Sequence, residues 1–145
     1  MVAVRLSIRN QFAGTVVAVA VGEVMSTVKV RLTGGQEVTA AITAESVRDL
    51  GLAEGTSVLV LVKSTEASVA TGAVDRISIR NRLTGVVSSV DHGHVMTTVK
   101  ITLDGGEALT AAITRDGAED LDLADGTQVT ALVKSTEVSI ALPPG

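Results

Sequence analysis

From Val24 to Leu32 the apolar residues Val24, Val28, Val30 and Leu32 are interleaved with Thr27, Lys29 and Arg31. A period of two predicts a strand with one face buried. Upstream, residues 5–9 read as a short strand ending in the polar Ser7-Ile8-Arg9-Asn10, and Thr15 to Val21 as a second strand closed by a turn at Gly22-Glu23. The paired Gly34-Gly35 predicts a hairpin into a strand over 37–42, because glycine supplies the positive φ of tight turns. Thr43 fits a helix N-cap, with a short helix through Leu50 and Gly51 as its C′ residue. After a turn at Glu54-Gly55, the run Val58-Leu59-Val60-Leu61-Val62 is apolar on both faces and predicts a strand covered on both sides; a last strand spans residues 66–70. Five or six strands and one short helix suit a small antiparallel barrel of the OB-like kind.

The pattern then recurs. A shift of 71 residues carries Ser7-Ile8-Arg9-Asn10 onto Ser78-Ile79-Arg80-Asn81, Ala41-Ile42-Thr43 onto Ala112-Ile113-Thr114, and Leu61 to Glu66 onto Leu132 to Glu137. No gap is needed between residues 5 and 141, and 37 of the 66 aligned pairs are identical. Two copies are too few for a solenoid, so the chain reads as a tandem of one module. The predicted fold is mainly β: two tandem OB-like small β-barrels, each with one short helix. The first domain takes residues 1–70, a short linker 71–75, and the second domain with a short tail 76–145. In the second helix Gly117 replaces Ser46 and Asp122 replaces Gly51, so that helix is expected to be shorter or frayed.

Composition sharpens this picture. Hydrophobic residues make up 46% of the chain, yet Phe12 is the sole aromatic, so the core must be Val, Ile, Leu and Ala, which favours strands. Modules this small bury little surface alone and should lean on each other or on further copies. The net charge of −4 argues against nucleic acid, as does the lack of aromatic stacking platforms. With no cysteine, disulfides and thiolate metal sites are excluded. The opening Met1-Val2-Ala3-Val4-Arg5 lacks a signal-peptide pattern, and the longest apolar run, Val58 to Val62, is too short for a bilayer. A soluble cytoplasmic protein with no membrane partner is the expectation.

Polar clusters stand out against this apolar background. None contains a nucleophile elbow, a Walker A loop or a Rossmann glycine pattern, so no enzyme is expected. His92 and His94 share one turn without counterparts in the first copy, and read as exposed loop histidines. The remaining clusters suit an anion. Thr43 and Ser46 fall on the first turn of a helix, where free N–H groups favour negative charge; Arg9 and Lys63 offer charged donors and Ser7 a hydroxyl. Each has a plain structural reading as cap, solvated residue or strand end. Their joint repetition, with Ser46 alone unrepeated, favours binding.

These residues resemble the Mop domain, a TOBE-type molybdate- and tungstate-binding module: Ser-Ile-Arg-Asn followed by Gly14-Thr15-Val16, the Gly34-Gly35 hairpin, Ala40-Ala41-Ile42-Thr43-Ala44-Glu45-Ser46, Leu52-Ala53-Glu54-Gly55 and Leu61-Val62-Lys63. Two such domains over residues 5–141 resemble the di-Mop molbindins. The resemblance implies an OB-like barrel binding molybdate or tungstate, with no other cofactor, at interfaces between Mop domains. The implied oxyanion ligands are Ser7, Arg9, Thr43, Ser46 and Lys63 in the first copy. In the second they are Ser78, Arg80, Thr114 and Lys134, with Gly117 where a hydroxyl is expected. Six Mop domains around a threefold axis imply a homotrimer of a tandem chain. The implied function is cytoplasmic molybdenum storage and homeostasis; the alternative is a regulatory oxyanion-sensing module acting on a partner protein.

Overall fold

The computed structural model describes residues 5–144. The leader expectation rests mainly on residues 1–4, which lie outside the described residues, as does Gly145. In the first half the elements are β1 (Asn10–Val21), β2 (Met25–Leu32), β3 (Glu37–Thr43), α1 (Ala44–Leu50), β4 (Ser57–Val62), a 3₁₀ turn (Ser64–Glu66) and β5 (Ser68–Ala70). The second half repeats them as β6 (Asn81–His92), β7 (Met96–Leu103), β8 (Ala108–Thr114), α2 (Arg115–Asp120), β9 (Gln128–Val133), a 3₁₀ turn (Ser135–Glu137) and β10 (Val138–Ala141).

The strands form two curled five-stranded antiparallel sheets, in the orders β10-β4-β1-β2-β3 and β5-β9-β6-β7-β8. The mainly β, OB-like reading of each half therefore holds. The order also contains an exchange: β5 of the first half pairs with β9 of the second, and β10 pairs with β4 of the first. One contiguous apolar core results, running from Val28, Val30 and Val60 in one sheet to Val99, Ile101 and Ala131 in the other. Along β2 the pattern is strictly alternating, with Val28, Val30 and Leu32 buried and Lys29 and Arg31 exposed, as the sequence period requires.

Four local expectations change. Val24 lies in the turn before β2 and is exposed, and the last strand of the first half begins at Ser68 because Ser64–Glu66 close a 3₁₀ turn. Residues 5–9 form no strand; the first ladder pair is Asn10↔Val62, and the other side of β4 is taken by β10, so the preceding segment has no edge to join. The strand expected from Thr15 begins instead at Asn10 and runs straight through Gly14. That glycine is there for space: a Cβ on it would fall 2.6 Å from Val30 Cγ1 and 2.8 Å from the Arg31 carbonyl oxygen. Both helix boundaries follow the sequence. Thr43 caps α1 and Gly51 adopts the left-handed conformation at its end, whereas α2 is one residue shorter and leaves Asp122 at φ 51.

The halves are also pinned by two buried asparagines. Asn10 Nδ2 donates to the Thr110 carbonyl at 2.8 Å while its Oδ1 accepts from Thr110 N at 2.8 Å. Asn81 does the same to Thr39, at 2.8 and 2.7 Å. Each satisfies both main-chain groups of an edge-strand residue, which would otherwise be costly to bury.

Candidate oxyanion site

The antiparallel register Asn10↔Val62 brings the chain just before Asn10 beside the chain just after Val62. Ser7, Arg9 and Lys63 thereby line one cleft of about 230 Å³, joined by Ser64 and Thr65. Asn81↔Val133 is the matching pair in the second half, and sets Ser78 and Arg80 beside Lys134. Arg9 and Lys63 are exposed, so their charges face solvent and are free to meet a ligand. The chemistry is that of two permanent or near-permanent cations with hydroxyls between them, suited to an acceptor-only anion.

Sequence reasoning left out Ser64 and Ser135. Both hydroxyl oxygens are buried and have no hydrogen-bond partner among the described residues, and Ser64 lies against Lys63 in the cleft. An unpaired buried hydroxyl is a cost that a ligand could relieve. The available signal was Lys-Ser-Thr-Glu, which recurs unchanged at 63–66 and 134–137.

The hydroxyl pair sits apart. Thr43 Oγ1 accepts from Ser46 N at 3.1 Å and donates to Ser46 Oγ at 2.8 Å. Thr114 Oγ1 accepts from Gly117 N at 3.1 Å, and no hydroxyl follows. Thr43 and Ser46 do not line the cleft of Ser7, Arg9 and Lys63. In the first half the cationic part of the expected ligand set is brought together and Thr43 and Ser46 lie outside its cleft. The two parts are linked crosswise: Asn10, next to Arg9, grips Thr110, four residues before Thr114 on the opposite half.

Two other features bear on the assignment. A cleft of about 430 Å³ around Gly72, Thr84 and Asp104 is lined by no cationic side chain and does not suit an anion. His92 Nδ1 lies 2.9 Å from Thr97 Oγ1, so its ring is engaged within its own hairpin.

The family model for the TOBE domain matches residues 6–69 and 77–140. The molybdenum-pterin-binding protein MopB of Rhodobacter capsulatus is 45% identical over 140 residues, which cover 96% of this chain and 52% of that protein. The molybdenum transport protein ModE of Herbaspirillum seropedicae is 37% identical over 139 residues, covering 95% of this chain and 52% of that one. The chain thus spans about half the length of these curated relatives. A solved structure of the cytoplasmic molybdate-binding protein ModG with molybdate bound matches with a TM-score of 0.94 and 35% identity, over 97% of this chain and all of that one.

Proposed function

This chain belongs to the TOBE family as a tandem, di-Mop member, and from that premise we propose that it binds molybdate or tungstate in the cytoplasm as a store of molybdenum, without catalysing a reaction. The carrying observation is the cleft lined by Ser7, Arg9, Lys63 and Ser64, the last of which has a buried hydroxyl oxygen without a hydrogen-bond partner among the described residues. A tetrahedral dianion that is fully ionised at neutral pH accepts hydrogen bonds and donates none. Two cations and several hydroxyls satisfy it, and cavity size then separates it from the smaller sulfate.

The site sits between Mop domains. The cleft of Ser7, Arg9 and Lys63 is not lined by Thr43, Ser46, Thr114 or Gly117; on this reading a second copy completes it, in a homotrimer of six Mop domains. Exposed apolar residues at the hairpin tips, Val24 and Met25 in one half and Val95 and Met96 in the other, supply surface for such contacts. Nucleic acid is not a direct ligand, given the charge of −4. A second reading, an oxyanion sensor acting on a partner protein, is supported by the alignment to about half of ModE, which in Escherichia coli is described as a DNA-binding transcriptional dual regulator.

Native mass spectrometry with and without molybdate tests the reading, since it reports oligomer and ligand count together. A trimer that gains molybdate is expected. A 14.8 kDa monomer that gains none would overturn it, as would calorimetry showing sulfate bound as tightly as molybdate.

A further inference from the structure

Arg9 lines two clefts. One is the cleft it shares with Ser7, Lys63 and Ser64. The other, about 280 Å³, lies between the halves, and Glu107 of the second half lines it with Arg9. Glu107 holds the place that Gln36 holds in the first half, but their surroundings differ. Gln36 uses both ends of its amide on Thr84: Nε2 donates to the carbonyl at 3.2 Å and Oε1 accepts from N at 3.2 Å. Glu107 accepts from Gly34 N at 2.8 Å through Oε2, and its Oε1 is buried without a hydrogen-bond partner among the described residues.

An ionised carboxylate has no hydrogen with which to copy the donating bond of Gln36. A buried, unpaired carboxylate oxygen is costly, and a cation is its natural partner. The ion pairs found among the described residues are Arg31–Glu37 and Arg115–Glu119, which leave Glu107 without one. The cation that lines its cleft is Arg9.

Resting on the oxyanion reading above, we propose that Glu107 is a built-in competitor for the Arg9 guanidinium. It draws Arg9 toward the cleft between the halves and repels an incoming dianion, so oxyanion sites built on Ser7, Arg9 and Lys63 bind more weakly than they would with a neutral residue at position 107. In the second set the repeat gives Arg80 the neutral Gln36 at the corresponding position. Glu107 therefore sets the affinity of one class of sites through Arg9 and is not itself a ligand.

Reciprocal substitutions in the full chain test this. Glu107→Gln keeps an acceptor for Gly34 N and should tighten molybdate at half of the sites by up to about fivefold in calorimetry, the range set by partly exposed charge pairs. Gln36→Glu should loosen the other half. Unchanged isotherms, or an equal shift of every site, would overturn the inference while leaving molybdate binding itself established. A second readout needs no oxyanion: the Arg9 side-chain Nε–H resonance of the unliganded protein should move on Glu107→Gln, and that of Arg80 on Gln36→Glu. An Arg9 resonance that ignores Glu107→Gln would overturn the inference whether or not molybdate binds.

Discussion

The substitution pair Gly117→Ser and Ser46→Gly isolates a single hydroxyl. In α1 Ser46 is half-buried, and its Oγ lies 2.8 Å from Thr43 Oγ1. In α2 the same place is Gly117, and a Cβ built there meets only Thr114 Oγ1, at 3.1 Å. A serine therefore fits with a shift of a few tenths of an ångström by one flexible hydroxyl. If the oxyanion takes a hydrogen bond from Ser46, losing that bond to a charged group costs about 1.5–3 kcal/mol, or roughly tenfold to over a hundredfold in affinity. Sites that use the second helix should then be weaker, and molybdate calorimetry on the unmodified chain should resolve two classes. Gly117→Ser should narrow the gap, and Ser46→Gly should merge the classes downward. The fold should tolerate both changes, since the cap bonds, in which Thr43 Oγ1 and Thr114 Oγ1 accept from main-chain N–H groups, survive. A single class of sites that neither substitution alters would refute the role given to Ser46.

Lys63→Ala and Lys134→Ala should each weaken molybdate binding at their own sites and leave the melting temperature nearly unchanged, because both side chains are exposed strand ends; equal weakening of all sites by either would argue against separate cationic sets. Asn10→Ala or Asn81→Ala should lower stability by about 1–3 kcal/mol in urea denaturation, since each strands the part-buried main-chain donor and acceptor of Thr110 or Thr39. Gly14→Ala should cost about 1–3 kcal/mol by overpacking against Val30 and Arg31, seen as a lowered melting temperature, with a neutral result showing that the strand can shift to admit a methyl group.

The parts of the fold written in local chemistry were readable from the sequence. The alternation from Val28 to Leu32, the Gly34-Gly35 turn and the Thr43 and Gly51 caps each depend on neighbours within a few residues and appear as expected, whereas Val24, read as part of the same face, is exposed in the turn before β2. What failed depended on distant partners. Residues 5–9 look like a strand in isolation, but the edge they would join is filled by β10, more than a hundred residues away in sequence. The partner of Asn10 was equally out of reach: it reads only as the polar end of Ser7-Ile8-Arg9-Asn10, and its amide is spent on Thr110 of the other half. Within the candidate site the repeated Ser, Arg and Lys were visible as types, while the orphaned hydroxyl of Ser64 became visible only once burial was known.

The crossing of β5 and β10 also governs how the molecule comes apart. Each half lends its last strand to the other, so a protease cut anywhere in 71–75 would leave two fragments still interlaced through two separate ladders. Neither sheet is complete until both halves have formed, which makes the tandem one cooperative unit rather than two beads on a string. The long sequence separation of the β10–β4 pairing places its closure late in folding, where its entropy cost is repaid by an almost finished core. The covalent link between copies also keeps the lent strand at a high local concentration. It gives each position of the repeat two addresses, so that residues such as Gln36 and Glu107 can diverge within a shared architecture.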